Sequence, residues 1–359
     1  MLTRPLRTLL LSVGLVVLLV AGYVELYRSR LTLTVPTAAQ ATAEQPQGIL
    51  LDGLLARDAI PPLDSPQYVA ASAAPWLEDD DLVLGVALNG EVRAYPIKLM
   101  NWHEIVNETL GGVEVVITYC PLCHSGVVFE RRLGDRTLSF GNTGGLYESN
   151  LLMYDRETGS YWYQLLGQAI RGPLSGKRLT QRPATMSPWS DWRALHPQTL
   201  VLSRNTGYDR PYDRAFSEGG RHPPVSTQDD RLDDSVLVLG VEVQGRAKAY
   251  PLKRLGPSAF SDELAGRALV VFAGKDQGAV FSPYVSRWWG LSRTQLDFVF
   301  EQGQFVDRNT QSVWTAEGRA VSGPLRGQQL KALPSTTSYW FAWVTGHPHT
   351  EVYQGKLGM

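Results

Sequence analysis

Two stretches far apart in this chain are nearly the same sequence. Leu82-Val-Leu-Gly-Val-Ala-Leu-Asn-Gly-Glu-Val-Arg-Ala-Tyr-Pro96 aligns without a gap on Leu237-Val-Leu-Gly-Val-Glu-Val-Gln-Gly-Arg-Ala-Lys-Ala-Tyr-Pro251. The likeness runs on downstream: Asp155-Arg156 with Thr158, Ser160 and Trp162 answers to Asp307-Arg308 with Thr310, Ser312 and Trp314. Gly172-Pro173-Leu174 answers to Gly323-Pro324-Leu325, and Trp192, His196-Pro197 and Thr199 answer to Trp343, His347-Pro348 and Thr350. A repeat on this scale decides architecture before any local signal does. The 359 residues are therefore expected to form two homologous lobes, residues 57–225 and 226–359, produced by an internal duplication. Each lobe falls within the roughly 100–200 residues that commonly make one domain.

Strand signals dominate each lobe. Apolar and β-branched runs at 82–88, 91–96, 113–119, 126–132, 137–142, 151–155, 160–164 and 199–203 are separated by turn residues at short intervals, which predicts a mainly β, largely antiparallel fold. Helical periodicity is confined to residues 97–110 and 187–195, so the class is α+β with few short helices. The periodicity alone leaves sandwich and barrel both open.

Upstream, Arg4 and Arg7 precede an uncharged apolar run at 8–24, followed by Glu25, Arg28 and Arg30. A spanning helix needs about 20 apolar residues. Residues 1–30 read as a signal anchor, with a cleaved signal peptide as the alternative, although Val20-Ala21-Gly22 is a poor cleavage site. Residues 31–56, rich in Thr, Ala, Gln and Pro near their start, read as a linker. The expectation is a single-pass inner-membrane protein whose bulk is periplasmic or extracellular, with the membrane as one partner and a protein partner left unspecified. A net charge of -1 supplies no field to draw in nucleic acid, which is excluded as a partner.

The chain has only two cysteines, Cys120 and Cys123, placed between two β-branched runs, with His124 beside them and His103 a short distance upstream. The second copy has Ala273-Gly-Lys-Asp-Gln277 where the first has Cys120-Pro-Leu-Cys123-His124, so the chemistry is expected in the first lobe, with the second lobe closing over it. Four readings of the pair stand side by side. A structural disulfide suits an exported protein, but so short a loop restricts the unfolded chain little. A redox dithiol has the right spacing, yet a strand follows where a thioredoxin-like protein has a helix. Cys120-x-x-Cys123-His124 matches the c-type haem pattern literally, with Met153 a second axial ligand. A metal site would use Cys120 and Cys123 with His103, Met153 and His124 for copper, the preferred ion, or zinc. A thiol-dependent enzyme with one Cys as nucleophile and His103 or His124 as base is the competing class, and a non-catalytic scaffold the third.

Asn101-Trp-His-Glu-Ile-Val-Asn-Glu-Thr109, Tyr119-Cys-Pro-Leu-Cys123, Ser149-Asn-Leu-Leu-Met-Tyr-Asp155, Gly172-Pro-Leu174 and Tyr339-Trp-Phe-Ala-Trp343 together resemble the bacterial family called domain of unknown function 3179. The resemblance covers residues 57–353. It implies an exported or membrane-tethered protein and supplies no mechanism. Relatives often carry Gly where this chain has His124, which weighs against haem. Cys120, Cys123, His103 and Met153 remain as the matching positions.

Overall fold

A computed structural model describes residues 48–213, 225–287 and 292–355. The predicted membrane segment and most of the linker lie outside them. Among the described residues no helix is long and apolar enough to cross a membrane.

The first repeat stretch forms a hairpin of strands β1 (Leu82–Leu88) and β2 (Glu91–Pro96). Helix α1 (Ile97–His103) follows, then strands β3 (Ile105–Leu110), β4 (Val113–Cys120) and β5 (Ser125–Glu130), and then β6 (Phe140–Tyr147) and β7 (Asn150–Asp155). Strand β8 (Thr185–Pro188) and helix α2 (Trp189–Leu195) close this half. The second repeat stretch forms β9 (Leu237–Val243) and β10 (Arg246–Pro251), followed by β11 (Ser258–Leu264), β12 (Arg267–Ala273) and β13 (Gly278–Ser282). Strand β14 (Ser335–Tyr339) and helix α3 (Trp340–Gly346) stand where β8 and α2 do.

Pairing follows the same pattern in both halves. β1 lies between β8 and β2, with Leu84 opposite Tyr95; β9 lies between β14 and β10, with Leu239 opposite Tyr250. Each hairpin is extended by one parallel strand, Leu200–Leu202 in the first half and Glu351–Val352 in the second. A second sheet orders β3, β4 and β5 in one half and β11, β12 and β13 in the other. The fold is mainly β, built from several small sheets.

Strand β4 is buried on both faces, which is why it reads as an unbroken apolar run. Val115, Ile117 and Tyr119 enter a core with Leu84 and Tyr95, while Val116 and Cys120 enter another with Phe140 and Trp162. Both halves fasten the same side chains in the same way. The buried Asp155 carboxylate accepts the Thr158 N–H (2.6 Å) and the Trp162 indole N–H (2.8 Å), and Asp307 accepts Thr310 (2.7 Å) and Trp314 (2.9 Å). Trp192 donates to Thr199 (3.0 Å) and Trp343 to Thr350 (2.9 Å). Each of these rings lies flat on a glycine: a Cβ at Gly85 would stand 2.2 Å from Trp192, and one at Gly240 2.3 Å from Trp343. Glycine is therefore the residue that the close approach requires.

Three expectations are corrected here. Residues 97–110 are not one helix, because Glu104 caps α1 at a left-handed φ of 58° and the β-branched Ile105 and Val106 continue as β3. The predicted linker ends earlier than residue 56: Leu50 and Leu51 pair with Tyr147 and Leu146, and the Leu55 N–H donates to the Gly144 carbonyl (2.8 Å). The alignment at the cysteine turn also shifts. Tyr119 pairs with Gly126 where Ala273 pairs with Gly278. Gly126 and Gly278 lie against the matching Leu84 and Leu239. Cys120 thus corresponds to Gly274 and Ser125 to Gln277, and the second half's turn is two residues shorter, without any counterpart of Cys123.

Candidate functional site

Strand β4 delivers Cys120, and β5 restarts at Ser125 directly opposite it. Between them Pro121 presets the turn backbone, and the His124 N–H reaches back to the Pro121 carbonyl (3.4 Å). His124 sits at φ 51°, in the left-handed region that favours glycine. The two cysteines are free and are 1% and 0% exposed.

Their environments differ. The Cys120 sulfur accepts the Leu151 N–H at 3.4 Å, and the nearby N–H groups of Leu122 and Cys123 in the turn also favour charge on it. Burial pushes the Cys120 thiol up, but the Cys123 thiol and these three N–H groups outweigh it and hold it below the usual thiol value. Burial pushes Cys123 well above that value, and its hydrogen bond and proximity to Cys120 act in the same direction. The Cys123 sulfur accepts the Asn150 side-chain N–H (3.1 Å), and its thiol hydrogen faces the Ser149 carbonyl (3.3 Å). Charge is thus favoured on Cys120 and the proton on Cys123.

A buried polar network stands behind the pair. Gln164 donates to the Thr118 hydroxyl (2.9 Å) and accepts from Asn150 (3.1 Å) and Ser125 (3.2 Å); Thr118 passes its own hydrogen to the Val127 carbonyl (2.7 Å). Asn150 in turn accepts the Leu165 N–H (3.3 Å). A network satisfied at every member fixes a unique arrangement, and this one holds the amide that contacts Cys123. Half-buried Glu104 accepts from Asn142 and is raised well above the carboxylic acid range by burial and by the charge of Cys120. The second half supplies the cover: the Tyr339 N–H donates to the Cys123 carbonyl (2.9 Å), and Phe341 and Ala342 of α3 share the core that contains both thiols.

Of the residues singled out from sequence, the structure brings Cys120, Cys123 and Met153 into one buried core and sets His124 at its edge. The His124 ring packs on Tyr339 (5.6 Å between centroids) and lies near the Tyr119 hydroxyl (3.4 Å). His103 is used elsewhere. Its Nδ1 donates to the Pro61 carbonyl (2.8 Å) and its Nε2 faces the Tyr212 hydroxyl (2.7 Å), so both ring nitrogens are occupied. Burial and the nearby Arg210 charge lower its pKa, opposed by the Pro61 bond, and keep the ring neutral. Among the described residues no three His, Cys, Asp or Glu side chains are grouped to hold a metal ion.

Sequence reasoning passed over Thr118, Gln164, Asn150 and Glu104 as members of the site. The repeat contains a signal for two of them, since Thr118 stands where the second half has Phe272 and Gln164 where it has Thr315. Tyr163 was missed as well. It is 3% exposed and its hydroxyl has no hydrogen-bond partner, while burial and the neighbouring Cys123 raise its pKa. Removing an unpartnered buried hydroxyl is nearly free, so Tyr163→Phe is expected to leave stability unchanged or raise it by about 1 kcal/mol in urea unfolding. A loss of that size would mean that the hydroxyl is paired in solution.

No curated protein and no solved structure matches this chain. A family model does match residues 57–350, well over half of the sequence and spanning the cysteine turn, its polar backing and the α3 cover. The chain belongs to the family described as protein of unknown function DUF3179.

Proposed function

We propose that this protein is a membrane-tethered, extracytoplasmic dithiol protein in which Cys120 is the nucleophile and Cys123 the resolving thiol of a reversible thiol–disulfide exchange. The observation that carries the reading is the asymmetry of the pair: the Leu151 N–H donates to the Cys120 sulfur, with the Leu122 and Cys123 N–H groups of the turn beside it, while the Cys123 thiol is deeply buried and its hydrogen faces the Ser149 carbonyl. In the first step the Cys120 thiolate attacks one sulfur of an oxidised partner, the partner's S–S bond breaks, and its second sulfur leaves as a thiolate. Cys123 then loses its proton to that thiolate and attacks the Cys120 sulfur. The Cys120–Cys123 disulfide forms, the partner departs with two electrons, and no proton is created or lost. The tether rests on Arg4, Arg7 and the apolar run after them, and the two-lobed plan on an ancestral duplication supported by the matching strand pairings. Equilibration of the full chain in glutathione buffers, read by mass tagging of free thiols, tests the exchange. The expected result is a single two-electron transition in which both thiols disappear together. Two thiols that stay reduced, or titrate independently, would refute it.

Copper is the second reading, favoured by Met153 lying in the same core as two free thiols. Soft sulfur ligands select Cu(I), and with His103 occupied the ligands would be Cys120, Cys123 and Met153. Metal analysis of reduced protein against Cys120→Ser separates the readings: equal, negligible copper in both leaves exchange alone.

A further inference from the structure

The position that holds the thiols in the first half is a cavity in the second. Gly274 stands where Cys120 does, the two-residue Lys275–Asp276 turn leaves no counterpart of Cys123, and Thr315 replaces the longer Gln164. The space opened has a volume of about 410 Å³ and is bounded on its other side by β8 and α2 of the first half. That is within the size range of small-molecule sites. Its floor is aromatic: Phe272 stacks on Phe305 (4.4 Å, 7° between planes), and Phe300 packs on Phe305 at 4.9 Å.

The polar side chains lining this space are the hydroxyls of Thr185, Ser187 and Thr315, the Gln277 amide and the carboxylates of Asp191 and Glu317. Ser187 is 5% exposed and its hydroxyl has no partner; the Gln277 side-chain oxygen is likewise buried and unpaired, while its amide nitrogen leans on the Asp191 carboxylate at 3.5 Å. Glu317 also lines the space, bonded to His196. No Lys, Arg or His is among the described residues lining it. The Gln277 oxygen is a buried acceptor without a donor, and two carboxylates beside an aromatic floor favour a cation.

We propose that this inter-lobe cavity is a binding site for a small organic cation, an ammonium or amidinium group carried on a flat apolar body. The body lies against Phe272 and Phe305, and the head donates to Gln277 Oε1 and Asp191, with Ser187 as a further contact. The site lies in the half without cysteines and does not depend on the thiol chemistry.

The test is calorimetric titration of the full chain at pH 7 with benzylamine, benzyl alcohol and benzoate. Benzylammonium is expected to bind saturably and more tightly than the alcohol, with benzoate not binding. Losing one charge contact in a half-open site corresponds to about five-fold in affinity, so Asp191→Asn should weaken benzylammonium by roughly that factor and leave benzyl alcohol unchanged. Gln277→Leu should weaken both. Cys120→Ser should retain full binding, which keeps this result separate from the thiol reading. No saturable benzylammonium binding, benzoate binding as well as benzylammonium, or affinities untouched by both cavity variants would each overturn the proposal.

Discussion

A Cys123→Ser variant, exposed to oxidised glutathione, should accumulate as a stable mixed disulfide at Cys120, whereas Cys120→Ser should form no adduct and no intramolecular disulfide. The contrast follows from the division of roles. At Cys120 the donors outweigh burial and favour a thiolate, whereas at Cys123 the one favourable donor, Asn150, does not. Cys123 is held protonated by burial and by its contact with Cys120, so alone it is a poor nucleophile. Removing the resolving sulfur stops the reaction after its first bond exchange. Removing the nucleophile stops it before that exchange. Intact-mass measurement reads both results directly. Equal adduct formation in the two variants would show that the turn does not discriminate between its thiols.

The second large effect concerns the cover. Trp343→Ala should lower stability by about 3–5 kcal/mol, the usual cost of truncating a buried aromatic ring. The ring is 3% exposed, its N–H is paired with Thr350, and its face fills the space above Gly240. Trp343 also anchors α3, which carries Phe341 and Ala342 over the thiols. The variant should therefore label faster at Cys120 with a small alkylating reagent under conditions where it remains folded. Trp192→Ala provides the control. It removes the matching ring from α2, which borders the second half's cavity, so it should cost similar stability without speeding the labelling of Cys120. Equal acceleration in both variants would mean that global opening, and not the α3 cover, governs access.

How much of this was legible in the sequence depends on the distance over which each feature is encoded. The two hairpins were legible because the repeat writes them twice and their strand bounds, Leu82–Leu88 and Leu237–Val243, are local. The cysteine turn was legible as the one place with sulfur. The boundary between α1 and β3 was not, because Leu99, Trp102, Ile105 and Val106 fit a helical period until the backbone turns left-handed at Glu104. His103 was placed with the thiols because it lies close to them in the chain, but ring direction is set by Pro61 and Tyr212, residues distant in sequence. The polar backing was hidden for the same reason: Thr118, Asn150 and Gln164 come from three separate strands or turns, and each alone resembles an ordinary strand-end residue. A gap-free comparison of the copies placed Ala273 opposite Cys120, whereas alternation of buried faces along β4 and β12 places Gly274 there. That one-residue difference is what reveals the cavity in the second half.

The central claim is that this turn makes one thiol acidic and leaves its neighbour protonated. The most direct measurement is the pH dependence of alkylation at each sulfur, followed site by site by peptide mass spectrometry on the folded, reduced chain. Cys120 should react along a titration curve whose midpoint falls below the ordinary thiol value of about 8.5, and Cys123 should stay unmodified across the same range. Parallel curves for the two sulfurs, or a Cys120 midpoint at or above that of a free thiol, would contradict the account.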